Sequence, residues 1–175
     1  QGLIAFLEAQ TGRKMDKERL WETIRLSDKA WQLWYDIDRL RVAVPSPMPT
    51  QDHFSIMVAG HYYSGTQTAV DFYQALYDEV KTKAENGIGV IADEKYRVLY
   101  GGGLPPWHTL WIFNYFESFG AVFVIENVYR GHDPVEVPAH VKDPVEYLAW
   151  RTFLRYTQRH EKARANSGNP IVERL

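Results

Sequence analysis

Tyr96-Arg97-Val98-Leu99-Tyr100-Gly101-Gly102-Gly103-Leu104-Pro105-Pro106 is the stretch on which the reading of this chain turns. Five residues rich in strand formers run directly into three glycines and two prolines. Prolines are tolerated in the first turn of a helix, so a helix is expected from Trp107 to Phe119, with Gly120 as its stop. Ala121-Val122-Phe123-Val124-Ile125 follows, an unbroken apolar run of the kind buried on both faces of a parallel sheet. Strand, loop, helix and strand within about 30 residues make a βαβ unit.

Upstream, the pattern changes period. Leu3, Ile4, Phe6 and Leu7 form an apolar helical face that Gly12 can end. Asp16 can cap a long helix whose stripe runs Leu20, Ile24, Ser27, Trp31, Trp34, Asp38, at spacings of three and four. That helix should stop before Pro45. Pro45-Ser46-Pro47-Met48-Pro49 reads as a stiff extended connector. Helices are then expected over residues 51–63 and 66–84, broken at Ser64-Gly65 and ended at Asn86-Gly87. Downstream, residues 127–142 read as a loop. Asp143-Pro144-Val145-Glu146 is a capping box that opens a helix towards His160. Asn169-Pro170 looks like the start of one more, cut short. Together with a first residue that is not Met, this suggests a piece of a longer subunit. The expected organisation is α/β: a helical region over 1–95, then, over 96–175, the start of a Rossmann-like parallel βαβ domain truncated at its C-terminal end.

Composition narrows the function. A net charge of −2 with no basic stripe argues against nucleic acid. The chain has no cysteine, which excludes disulfides, thiolate metal ligands and a cysteine nucleophile from these 175 residues. No apolar run approaches the roughly 20 residues of a membrane span, and no signal-peptide pattern is present, so the expected location is the cytoplasm. Six Trp and eleven Tyr imply either a Trp-heavy core or aromatic surface awaiting a partner. His53, His61, His140 and His160 lack metal-ligand spacing, and no metal site is expected.

Chemistry concentrates at the glycines. Ligands of open α/β sheets bind beyond the carboxyl ends of strands, where glycines let backbone approach a ligand and a helix start offers free N–H groups. Pro106 stands where a dinucleotide fingerprint needs its last Gly, and no Lys-Ser or Lys-Thr follows, so NAD and ATP are disfavoured. The bland reading of the glycines is a tight turn. The expected substrate-binding set is Gly101, Gly102, Gly103, Leu104, Pro105, Pro106, Trp107, His108, Glu126 and Asn127. His108 is the candidate catalytic group, able to donate a proton or orient a carbonyl; a lone loop histidine is otherwise structural or merely exposed. Glu126 ends the second strand and lines a pocket or forms a salt bridge. Arg130 can meet a phosphate or carboxylate, or be a plain surface charge. A Gly102→Val change should abolish activity without unfolding the chain.

Phe6-Leu7-Glu8-Ala9-Gln10-Thr11-Gly12-Arg13-Lys14, then Arg19-Leu20, Leu40-Arg41 with its proline connector, residues 96–107, and Phe116-Glu117-Ser118-Phe119-Gly120 running into residues 121–127 follow one another in a telling order. That order resembles the middle of the 2-hydroxyacyl-CoA dehydratase and benzoyl-CoA reductase family. The resemblance implies a subunit of an iron–sulfur enzyme that pairs with a homologous second subunit and receives electrons from a separate ATP-hydrolysing activator. Its substrate would be an acyl-CoA, dehydrated through a ketyl radical or reduced at an aromatic ring. The [4Fe-4S] cysteines would lie outside this chain, which by itself would bind no cluster. Trp107 and Trp111 tilt the reading towards an aromatic acyl group and the reductase. Two other readings stand beside it: a nucleotide-binding Rossmann-like domain with a helical cap, and a non-catalytic helical interaction module.

Overall fold

Helix α1 (Gly2–Thr11) buries none of its residues and turns Leu3, Phe6 and Leu7 outward. Gly12 ends it at φ +66, a conformation that suits glycine. The computed structural model describes residues 2–101, 103 and 105–165, with side chains through residue 158. Gly102, Leu104, the side chain of His160 and the expected turn at Asn169-Pro170 lie outside the described residues.

The long helix α2 (Lys17–Leu40) begins as its capping chemistry dictates: the Asp16 carboxylate accepts the Arg19 N–H at 3.0 Å. Its inner face, Ile24, Ser27, Ala30, Leu33, Trp34 and Ile37, is buried. It packs mainly on α5 (Gln67–Glu85), which contributes Ala69, Val70, Tyr73 and Val80. Trp34 is fully buried between ring neighbours, stacked on Trp31 at 5.0 Å and on Tyr73 at 5.6 Å. A Trp-centred core is therefore one part of the answer to the aromatic surplus. The other part is surface, since Tyr62, Trp111, Tyr115, Phe119 and Tyr156 are more than half exposed.

Two expectations in this region need correction. The proline connector is no extended spacer: it turns inward, and Ser46, Pro47 and Met48 are buried. The helix expected over 51–63 is two short ones, α3 (Thr50–Ser55) and α4 (Met57–Tyr62). Ile56 lies at the break. Its carbonyl accepts the Tyr73 hydroxyl at 2.8 Å and the Ala59 N–H three residues on, instead of continuing the regular ladder.

Strands β1 (Tyr96–Tyr100) and β2 (Ala121–Glu126) pair in parallel, as the sequence requires of a βαβ unit. The register slips between Val98 and Leu99, so that Val98 faces Phe123 while Leu99 faces Ile125. Every residue of β2 is buried. One face packs Phe123 against Phe54 and Phe113, the other packs Val122 and Val124 near Val90 and Ile91. β1 is half exposed. The crossover is less helical than expected. A 3₁₀ turn spans Trp107–Thr109, closed by the Thr109 N–H on the Pro106 carbonyl, and α6 covers only Ile112–Glu117. The last helix, α7 (Pro144–Ala165), opens on Asp143, which accepts the N–H groups of Val145 and Glu146. It returns to α2 through Lys17–Asp143 and through Arg151 and Arg155 on Asp28.

Candidate functional site

The carboxyl end of the sheet is held together by Asn127. Its backbone N–H reaches the Tyr100 carbonyl at 3.3 Å, extending the ladder one step, and its Nδ2 donates to the Gly101 carbonyl at 3.2 Å. Asn127 therefore ties the tip of β2 to the glycine loop. Gly101 and Gly103 are exposed. A Cβ on Gly103 would meet nothing within 4 Å, whereas one on Gly101 would touch Leu99 at 3.3 Å. At Gly103 the loop thus presents bare backbone to open space.

Of the other expected residues, Trp107 packs edge-on against Tyr129 at 5.2 Å and Phe54 at 6.0 Å. Pro105 is buried, Pro106 is half-buried, and His108 is exposed on the 3₁₀ turn. Trp111, the second aromatic ring in the reductase argument, is 60% exposed.

Glu126 points the other way, into the protein. Its side chain is 2% exposed and forms a two-pronged ion pair with Arg41, at 2.5 and 2.8 Å. Thr50 Oγ1 donates to it as well, at 3.1 Å. Burial alone would push this carboxyl up, but the charges of Arg41 and His53 and the hydrogen bonds from Arg41 and Thr50 outweigh it and hold it below the ordinary range. Of the two roles open to Glu126, the structure chooses the salt bridge over pocket lining.

Around that pair lies a buried polar chain that the sequence alone did not reveal. The fully buried His53 has Nε2 at 2.8 Å from Asp38 Oδ1, and its Nδ1 is 3.3 Å from Glu126 Oε2 without hydrogen-bond alignment. The second Asp38 oxygen accepts the N–H of Gly131 at 2.8 Å. Gly131 lies so close to α2 that a Cβ would be 2.2 Å from the Tyr35 nitrogen. Asp38 and Gly131 therefore clamp the loop after β2 onto α2. One signal for this was available: Asp38 is a carboxylate on the apolar stripe of α2, where only a partnered charge is tolerated.

The clamped loop borders a half-open cavity of about 390 Å³ at the end of β2. Residues 127–130 form one wall; Trp31, His61, His132 and Arg155 contribute others. His132 stacks on Trp31 at 4.2 Å, and His61 meets Trp31 and Tyr129 edge-on at 5.5 Å and tilted at 5.8 Å. The structure thus brings Asn127 and Arg130 into one concave site with residues of α2, α4 and α7, next to the glycine loop. His108 and Glu126 are not among its lining residues.

The 2-hydroxyglutaryl-CoA dehydratase D-component family model matches residues 1–173. The chain belongs to that family. The (R)-phenyllactyl-CoA dehydratase alpha subunit of Clostridium sporogenes is 30% identical over 97 residues, 55% of this chain and 24% of that protein. The match therefore spans about a quarter of the length of this curated relative. No solved structure matches the chain. Iron–sulfur chemistry, which the family resemblance implies, does not fit the donors present here: there is no cysteine. Among the described residues no group of three or more His, Asp or Glu could hold a metal ion. No described helix is long and apolar enough to cross a membrane.

Proposed function

We propose that this chain forms part of a subunit of a 2-hydroxyacyl-CoA dehydratase, and that the carboxyl edge of β1 and β2 contributes to its acyl-CoA site. The observation that carries this reading is the family match over residues 1–173. The geometry agrees with it: Asn127, bonded to the Gly101 carbonyl of the glycine loop, lines a cavity of about 390 Å³, which is within the usual size of ligand sites. Dehydration is favoured over ring reduction because the family model and the relative both carry dehydratase names. The reductase argument loses its footing, since Trp107 packs on Phe54 and Tyr129 while Trp111 faces out.

In this reading Gly101, Gly103 and Asn127 hold the thioester in place, and His108 lies at the exposed rim. A [4Fe-4S] cluster is bound by cysteines elsewhere in the enzyme. A homologous second subunit and an ATP-dependent activator complete it, and the enzyme works in the cytoplasm. The fold's part is to position substrate against the cofactor.

The test is turnover of a 2-hydroxyacyl-CoA, with benzoyl-CoA as the competing substrate, by the full-length protein with its second subunit and activator. Dehydration is expected. Gly103→Val should leave stability within about 0.5 kcal/mol, because the added side chain enters open space. It should lower turnover by roughly tenfold or more by blocking close approach. Reduction of benzoyl-CoA without dehydration would overturn the reaction type, and wild-type turnover by Gly103→Val would remove the glycine loop from the site.

A further inference from the structure

Among its described lining residues, the cavity at the end of β2 holds two guanidinium groups, Arg130 and Arg155, against one carboxylate, Asp133. Arg151 and Arg155, one turn apart on α7, share a single carboxylate oxygen of Asp28. Arg151 Nη1 holds it at 2.6 Å, while Arg155 Nη2 reaches it only at 3.4 Å. The other Asp28 oxygen accepts the Tyr147 hydroxyl at 3.0 Å. Asp28 thus serves two guanidinium groups and a phenol, with Arg155 the least well satisfied. The Nε atoms of both Arg151 and Arg155 are buried and meet no hydrogen-bond partner, and only Arg155 lines the cavity. Burial, then the neighbouring Arg151 charge, lowers the pKa of Arg155, the sign of a cation short of anions.

Arg155 lines the cavity, and so does Arg130 from the loop after β2. His61 and His132 lie among the ring walls, and Asp133 is the one carboxylate in the described lining. Asp133 also stands close enough to Arg39 to act on its charge. We propose that this cavity is a binding site for an anionic oxygen group, carboxylate or phosphate, held by the guanidinium of Arg155 with Arg130 as the second cation. Planar guanidinium groups match both anions with paired N–H donors. The Asp38–Gly131 clamp fixes the loop that carries Arg130, so the site is largely pre-formed. Within the proposed function this is the same cavity read through different atoms. Its anion is either a carboxylate on the acyl group or a phosphate of the coenzyme.

Calorimetric titration of the full-length protein separates these sources. Four probes are used: coenzyme A, glutaryl-pantetheine (a carboxylate but no phosphate), butyryl-pantetheine (neither), and inorganic pyrophosphate. Arg155→Met should weaken the probe that carries the seated anion about tenfold and leave butyryl-pantetheine unchanged. Arg155→Lys should recover part of the loss. Loss for coenzyme A assigns the phosphate; loss for glutaryl-pantetheine assigns the carboxylate. If every probe binds Arg155→Met as it binds wild type, or if butyryl-pantetheine weakens as much as the anionic probes, the anion site is overturned. If wild type binds pyrophosphate through Arg155 but none of the CoA-derived probes, the anion site stands and the acyl-CoA reading falls. If wild type binds none of the four, both fall.

Discussion

Replacing Arg41 by Met should be among the most damaging single changes in this chain, and its cost follows from the geometry. Arg41 is 1% exposed and donates to both oxygens of Glu126, to Thr50 Oγ1 and to the Phe123 carbonyl. Methionine fills most of the volume but leaves Glu126 a buried carboxylate with only Thr50 bonded to it and His53 nearby. Stranding one partner of a buried pair costs about 3–5 kcal/mol, a large part of the roughly 5–15 kcal/mol that holds a typical domain folded. Glu126→Leu should cost a similar amount, because the guanidinium is then stranded. The double variant Arg41→Met/Glu126→Leu should be much closer to wild type than the sum of the two, since Thr50 keeps its bond to the Phe123 carbonyl and His53 keeps Asp38. Urea unfolding followed by tryptophan fluorescence measures all four corners of the cycle. Acid adds a second check. The folded pKa of Glu126 lies below its unfolded value, so its stabilisation is present above the unfolded value, near 4.5, and is lost as pH falls through the folded pKa. The double variant should lack that component of acid sensitivity. Additive single costs, or singles below about 1 kcal/mol, would mean that the Arg41–Glu126 pair does not tie the end of α2 to β2.

Two further outcomes follow from other sites. Gly131→Ala should destabilise by about 2–3 kcal/mol, because its Cβ would strike backbone of α2, and should speed hydrogen exchange at residues 127–133; unchanged stability and exchange would remove the clamp. Glu117 is pushed up to about 7 by burial and by Asp52, against the pull of Arg41, so its contribution to folding is full below the unfolded value near 4.5 and is lost as pH rises through 7. Glu117→Gln should therefore match wild type at pH 4.5 and exceed it at pH 8 by on the order of 2 kcal/mol after discounting for solvent, and equal stability at both pH values would refute the assignment.

Local chemistry made the elements legible, and long-range pairing is where legibility ended. Asp16, Asp143 and the stop glycines act within a few residues of themselves, so the starts of α2 and α7 could be placed from the letters alone. The continuous apolar run of β2 declared a strand buried on both faces, and the glycines after β1 marked the sheet edge. The break at Ile56 was not legible, because it depends on the Tyr73 hydroxyl 17 residues away. Nor was the shortening of the crossover to a 3₁₀ turn and α6, where the chain after Pro105-Pro106 packs Trp107 and Phe113 onto Phe54. The direction of Glu126 turned on Arg41, 85 positions away in sequence, and no local pattern sets it.

The cavity takes that argument one step further. Its walls come from α2, α4, the loop after β2 and α7, so no contiguous motif could announce it. What the sequence does hold is a set of residues out of place under simple patterning: Asp38 on an apolar stripe, a fully buried His53, Gly131 in a loop with no turn requiring φ > 0, and Arg151 and Arg155 at one-turn spacing with one acid between them. Each departs from what packing alone would choose; Asp38, His53 and Gly131 belong to the clamp, Arg155 lines the cavity, and Arg151 competes with it for Asp28. Structure that serves only stability has no need to crowd two guanidinium groups onto one carboxylate beside a concave surface. The loosely held Arg155 is therefore the residue on which the proposed anion site turns, and the titrations above place that claim where it can fail.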